Sequence, residues 1–278
     1  MINFLSFVIH WNANPVIIQI TDSYGIRWYS LLYGLAFLLG YYILQWEFKK
    51  ENKNPEGAEE LLMYMFFAVL IGARLGHCFF YDWDYYKDHL LEILQVWKGG
   101  LASHGAAIAI PIALYLYKRR HPDQSYLWII DRVSIPTALG ASFVRYGNFF
   151  NHEIVGIPTN NPNWGVIFMQ CTEDNGIPTP RYPAQLFEAF LYDFIFIVLL
   201  IMYKRANYKP REGTLMSVFL FIMFIGRFFI ESVKYDRNPF HFGSFTFTHG
   251  QLLSIPFIIA GFFIFYLSRK QPKQDTPA

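Results

Sequence analysis

The chain has 278 residues, of which 54% are hydrophobic, 20% aromatic and 16% charged. Soluble domains carry roughly 25% charged residues, so much of this surface faces something other than water. A net charge of +2 gives no field for nucleic acid, and two cysteines, Cys78 and Cys171, are too few for a disulfide framework.

The first stretch, 1–11, is partly apolar but has neither a basic start nor a small-residue cleavage site, so it is not read as a cleaved signal peptide. A helix that crosses a bilayer needs about 20 mostly apolar residues. The stretch 28–46 is the first to qualify, 61–81 the second, and 101–117 is a shorter third. The fourth, 126–147, is the least apolar, because Asp131, Arg132, Pro136 and Arg145 lie inside it. The stretches 186–203, 214–231 and 251–267 complete a set of seven.

Lysine and arginine placement orients these spans, since cytoplasmic connections are the basic ones. The first connection carries Lys49, Lys50 and Lys53. The third carries Lys118, Arg119 and Arg120, and the fifth Lys204, Arg205, Lys209 and Arg211. The tail adds Arg269, Lys270 and Lys273, so these alternate segments hold 13 of the 23 basic residues. The second connection holds only Lys87 and Lys98, and the fourth only Arg181. The alternation requires the fourth span. It places the N-terminus outside, the C-terminus in the cytoplasm and the long 148–183 loop in the periplasm. The expected architecture is an all-α, multi-pass membrane protein with about seven helices, one membrane domain over 1–278, and 148–183 as a periplasmic head.

With directions assigned, the polar residues inside the spans gather in the outer half of the bilayer. Arg27 and Tyr29 open the first span. Arg74 lies about two turns from the outer end of the second, and His104 in the first turn of the third. Arg145 and Asn148 end the fourth, Glu188 and Asp193 lie in the outer half of the fifth, and Arg227 and Glu231 end the sixth. Ionisable groups at such depth face a bundle interior or a watery cavity. Several arginines there suit an anion, because the planar guanidinium grips a phosphate with two hydrogen bonds. The anion found at that depth is a phospholipid headgroup. His104, in the small-residue stretch Gly99-Gly100-Leu101-Ala102-Ser103-His104-Gly105, is a candidate base near neutral pH.

Each of these has a structural alternative. Arg227 with Glu231 also fits a neutralised salt bridge within the membrane, and both roles can hold at once. Arg132 fits a snorkelling side chain, Glu188 and Asp193 fit local pairing or capping, and Arg27 fits an interfacial anchor. His77, His89, His241 and His249 fit interfacial or hydrogen-bonded histidines. Neither HExxH nor CxxC occurs, so a zinc site has little support. A transporter would also bury ionisable groups, but transporters tend to show internal repeats and a midplane site. A lipid-binding protein without chemistry of its own would show the same anion site.

The run Val144-Arg145-Tyr146-Gly147-Asn148-Phe149-Phe150-Asn151-His152-Glu153-Ile154-Val155-Gly156 resembles the signature G-R-x-G-N-F-x-N-x-E-x-x-G of the prolipoprotein diacylglyceryl transferase family, with Val144 in place of the first glycine. Other segments agree in order. Arg27-Trp28-Tyr29 resembles the family's first-helix start, and Gly72-Ala73-Arg74-Leu75-Gly76 its second helix. Trp97 to Gly105 is similar to W-x-G-G-x-x-x-H-G, and Pro183-Ala184-Gln185-Leu186-Phe187-Glu188 to P-x-Q-L-Y-E. Arg227 to Glu231 is similar to R-x-x-x-E, and Gly250-Gln251-Leu252 to the seventh-helix start.

The resemblance implies a transferase of the bacterial inner membrane that moves diacylglyceryl from phosphatidylglycerol to the lipobox cysteine in a prolipoprotein signal peptide, without cofactor or metal. It implies that Arg145 and Arg227 hold the headgroup and its departing phosphate, and that His104 is the base for the incoming thiol. Tyr29, Arg74, Asn148, Asn151, Glu153 and Gly156 would line or shape the substrate site, and Glu231 would orient Arg227. The acceptor cysteine belongs to the substrate, so neither Cys78 nor Cys171 is required. The chain departs from the family's pattern at Phe187 after Tyr182-Pro183, at Met223 and at Lys234.

Overall fold

The computed structural model describes residues 7–21, 24–174, 177–236, 239–242 and 245–270. Lys273 of the basic tail and residues 1–6 of the first stretch lie outside them. In chain order the elements are β1 (Phe7–Trp11), β2 (Val16–Thr21), β3 (Tyr24–Arg27), α1 (Trp28–Lys50), α2 (Pro55–Phe80), the single turn α3 (Trp83–Tyr86), α4 (Ser103–Arg120) and α5 (Tyr126–Phe150). There follow β4 (Trp164–Phe168), α6 (Ala184–Arg205), α7 (Thr214–Ile230), β5 (Phe240–Phe242), β6 (Phe245–Phe247) and α8 (His249–Lys270).

Helices dominate because a backbone without water must satisfy its own hydrogen bonds. Among the described residues, six helical stretches are long and apolar enough to cross a membrane: α1, α2, α5, α6, α7 with the turn that follows it, and α8. The least apolar of the expected spans is therefore a full helix, α5, of 25 residues. The expected short third span is α4, whose 18 residues end in Lys118, Arg119 and Arg120, and it falls outside that set of six. The chain is a multi-pass membrane protein. The helix ends follow local chemistry. Asn54 caps α2 by accepting the Glu56 amide, with Pro55 at the first helical position. Basic residues close α1, α4, α6 and α8, where the helix dipole favours them.

Among the described residues the strands form three two-stranded ribbons that an all-helical reading leaves out. β1 pairs in parallel with β4, while β2 with β3 and β5 with β6 are antiparallel hairpins.

The chain divides into two compact units, Gly40–Val133 and Met1–Leu39 with Ser134–Ala278. In the first, α2 and α4 pack through glycines. A methyl on Gly72, Gly76 or Gly105 would overlap the opposite backbone, the small-residue contact that lets membrane helices approach closely. Arg132 is 1% exposed and does not snorkel. Its guanidinium pairs with Glu51, which also accepts the Trp128 indole N–H at 2.7 Å. Lys53 donates to Asp123 at 2.9 Å in the loop before α5, and that bond holds the Asp123 carboxyl below its ordinary range. In the second unit, Phe149, Val155, Val166 and Phe168 form a buried cluster with Trp11, Cys171 and Leu186 packed on it. This cluster anchors the end of α5 to the β1–β4 ribbon.

Candidate active site

The second unit gathers most of the polar residues singled out from the sequence. Arg145 and Asn148 are three apart on α5 and so share a face. The Arg145 Nη1 donates to Asn148 Oδ1 at 2.7 Å. Asn148 Nδ2 donates in turn to Glu153 Oε1 at 2.7 Å, and Asn151 Nδ2 reaches the same oxygen at 3.2 Å. Glu153 lies five residues beyond Asn148, and the helix cap brings it back. The Glu153 amide donates to Asn148 O and the His152 amide to Phe149 O, the paired bonds of a Schellman motif. His152 occupies the left-handed position of that motif with φ 55°. The spacing R-x-x-N-x-x-N-x-E is thus one helix face followed by one capping turn.

From α6, Gln185 Nε2 donates to the Glu153 carbonyl at 2.7 Å. One turn further, Glu188 is fully buried, with Oε2 2.8 Å from Arg145 Nε. That contact is an ion pair without the alignment of a hydrogen bond. Tyr192, on the same α6 face, donates to Glu188 Oε1 at 3.4 Å.

The other Glu188 oxygen lies 3.6 Å from Lys234 Nζ, which is 2.6 Å from Glu231 Oε1. Arg227 Nε completes the series 3.5 Å from the same Glu231 oxygen. Thr248 Oγ1 donates to Glu231 Oε2 at 3.4 Å, and Gly250 leaves the room that the Glu231 carboxylate occupies. Arg145 and Arg227 therefore stand at the two ends of one alternating series, Arg145–Glu188–Lys234–Glu231–Arg227. The three cations exceed the two buried carboxylates by one charge, with Glu153 at the exposed edge. Arg227 has the most open side chain of the five, at 26% exposure, and among the described residues Glu231 is its one ion-pair partner.

Two small residues make this closeness possible. Gly156 bridges to Lys234, and a methyl there would stand 2.5 Å from Tyr182 O and 2.7 Å from Val233 O. Gly147 lies against Tyr29, whose Cδ2 would be 2.7 Å from an added methyl.

The sequence did not single out Gln185 or Tyr192, and it read Lys234 only as a departure. Glu188, which in sequence fits either capping or local pairing, pairs across helices with Arg145. Asp193 also pairs across helices, accepting Ser142 Oγ and the Tyr146 hydroxyl, the latter at 2.7 Å. The i, i+3, i+7 spacing of Gln185, Glu188 and Tyr192 carried the signal of a polar face on an apolar helix.

His104 and Arg74 belong to the unit Gly40–Val133. His104 is exposed in the first turn of α4, with Nδ1 3.4 Å from the Tyr81 hydroxyl. Arg74 is 2% exposed and lies over the Tyr86 ring. Its guanidinium donates to the carbonyls of Glu92, Ile93 and Gly99 at 2.6, 2.9 and 2.7 Å. It thus ties down the connection that leads to His104. His77, His89, His241 and His249 are hydrogen-bonded or ion-paired, to Asp82, Tyr85 O, Thr246 and Asp236.

The sequence model of the prolipoprotein diacylglyceryl transferase family matches residues 15–267. The chain belongs to this family. Similar proteins named phosphatidylglycerol–prolipoprotein diacylglyceryl transferase occur in Tolumonas auensis, 39% identical over 95% of this chain and 99% of that protein, and in Chloroherpeton thalassium, 40% identical over 97% and 98%. The one in Porphyromonas gingivalis is 37% identical over 95% and 96%. Family membership spans the whole alternating series as well as the segment around His104.

Proposed function

We propose that this chain transfers the diacylglyceryl group of phosphatidylglycerol to the lipobox cysteine thiol of a prolipoprotein, the first step of lipoprotein maturation. The thiol loses its proton and the sulfur attacks the glyceryl carbon that carries the phosphate ester. A thioether forms, the carbon–oxygen bond breaks, and glycerol-1-phosphate leaves with the electron pair. The proton returns to the leaving phosphate or to water.

The observation that carries this reading is the joined series of charges between Arg145 and Arg227, with its excess positive charge. Cations already fixed where charge grows on the leaving phosphate stabilise it without reorganising. Arg227, the more open of the two arginines, takes phosphate oxygens, and Arg145 is held to the same site by Glu188 and Asn148. Glu231 sets Arg227, and Lys234 balances the two carboxylates. Asn148, Asn151, Glu153 and Gly156 shape the headgroup pocket beside Tyr29. His104 is assigned the thiol proton on its chemistry, since a thiol reacts as thiolate and has an ordinary pKa of about 8.5. Arg74 is assigned the positioning of the His104 segment rather than substrate contact.

Within this reading the protein works as one membrane domain of the bacterial inner membrane. Its N-terminus and the 148–183 region face the periplasm and its C-terminus the cytoplasm. The placement is supported by the basic residues that close α1, α4, α6 and α8. Purified protein in nanodiscs of phosphatidylglycerol with a lipobox peptide should release glycerol phosphate and add a diacylglyceryl mass to the peptide cysteine. No product with phosphatidylglycerol, under conditions where the protein is folded, would end the proposal.

A further inference from the structure

The stretch 7–14 precedes the residues matched by the family's sequence model, yet it grips the turn that presents Glu153. Strand β1 lies in parallel register with β4, from Phe7 opposite Trp164 to Trp11 opposite Phe168. The Trp11 indole N–H donates to the Phe149 carbonyl at 3.1 Å, and its ring packs on Phe149 and Phe150 with centroids 4.4 and 5.5 Å away. The Phe149 carbonyl already accepts the His152 amide within the capping turn, so the indole bond occupies its second lone pair and ties the α5 terminus to β1. Two residues on, the Ala13 carbonyl accepts the His152 ring N–H from Nε2 at 2.9 Å. Because a carbonyl can only accept, the bond fixes the tautomer that carries hydrogen on Nε2.

His152 sits where a helix terminus most often has glycine. A side chain in this left-handed conformation is unfavourable. Ile154, two residues on, has φ 56°, a backbone that β-branched residues rarely adopt. Glu153 is therefore held between two unfavourable backbone conformations. The imidazole, 3% exposed and set edge-on to Phe168, supplies a compensating anchor.

We infer that Trp11, Ala13 and His152 form a brace that positions Glu153, and through Asn148 also Arg145, for the transfer reaction. His152 is a positioning residue, and it acts through the capping turn without touching substrate. The inference rests on the function proposed above. Without the brace the turn relaxes, and the Glu153 carboxylate no longer meets Asn148 and Asn151 in one place.

The test uses the full-length protein in nanodiscs, with phosphatidylglycerol mole fraction and lipobox peptide concentration varied separately. His152→Gly removes the anchor while easing the left-handed backbone, so its thermal midpoint should stay within a few degrees of wild type. Its kcat/KM for phosphatidylglycerol should fall about tenfold, in line with the cost of sub-ångström misplacement, with the peptide KM unchanged. His152→Gln keeps a donor at the reach of Nε2 and should restore most of the loss. Trp11→Phe keeps the ring but loses the N–H, and should give a smaller loss in the same parameter. Amide hydrogen exchange over 148–156 should quicken in His152→Gly and there alone.

Wild-type kcat/KM in His152→Gly overturns the inference, as does a loss shared equally by both substrates together with a lowered midpoint. If His152→Gly fails to fold, the same readouts on Trp11→Phe decide. If the wild type does not turn over phosphatidylglycerol, the substrate reading fails by itself. The exchange data then judge the brace, and unchanged protection over 148–156 ends it.

Discussion

Removing the carboxylate of Glu188 is the most demanding test of the charge series. Glu188 is fully buried between Arg145, 2.8 Å from Oε2, and Lys234, 3.6 Å from Oε1. Glu188→Gln keeps the volume but leaves Arg145 and Lys234 with no carboxylate between them, so the two cations repel one another uncompensated. Both also lose their attraction to the carboxylate. Breaking a buried ion pair from one side costs about 3–5 kcal/mol, and the substitution should fall in that range. The thermal midpoint in nanodiscs, followed by tryptophan fluorescence, should drop by about 6–15 °C. With Arg145 misaligned, kcat/KM should fall about 100-fold or more, equivalent to at least 2.7 kcal/mol of transition-state stabilisation. Adding Lys234→Met to Glu188→Gln removes the surplus cation. The double variant should regain at least half of the lost stability while remaining slow. A single variant less than about 1 kcal/mol below wild type, or a double variant no more stable than the single, would refute the idea that Glu188 is the counter-charge of both cations.

Other consequences can be checked alongside. Arg145→Ala should abolish glycerol phosphate release while the protein stays folded, because Glu188 keeps Lys234. Arg145→Lys should be nearly as inactive, since an ammonium lacks the planar fork, and near-normal turnover in either would remove Arg145 from the site. The Cys78→Ser, Cys171→Ser double variant should retain turnover, and a folded but dead protein would point to a covalent enzyme intermediate. Gly156→Ala should lose about 1–3 kcal/mol through overpacking against Tyr182 and Val233, and an unchanged midpoint would show that the bridge to Lys234 gives way freely. Asp123→Asn should cost less than about 1 kcal/mol at pH 7, as exposed pairs do. Because Lys53 lowers the Asp123 pKa in the fold, its contribution is present above the ordinary aspartate value of about 3.9. It fades as pH falls through the lowered value, so the gap between variant and wild type should close there. A gap that widens with acid would reverse the sign.

The helices were legible because each is a long apolar run, and in a membrane such a run has one satisfactory backbone conformation. Even α5 could be recovered from the alternation of basic loops, although Asp131, Arg132 and Arg145 dilute its hydropathy. Arg132 shows where hydropathy stops informing. Its partner Glu51 is 81 residues away in sequence, and no local pattern separates a paired buried arginine from a snorkelling one. The ribbons were missed for a related reason. β1 has five residues and finds its partner β4 more than 150 residues later, so its period-two signal is short and its pairing is invisible.

At the site, residues close in sequence were legible as a group, and residues joined only by the fold were not. Arg145 with Asn148, and Arg227 with Glu231, follow from helical spacing alone. The link between those pairs runs through Glu188 and Lys234, which sit on different elements and pass for ordinary polar residues when read in line. Lys234 illustrates this, because its ammonium supplies the positive charge between two buried carboxylates. A lysine there offers a compact point charge, where an arginine would offer a planar fork. With Lys234 between the two carboxylates the series keeps its one surplus positive charge, and the two arginines at its ends are the groups whose planar forks suit a phosphate.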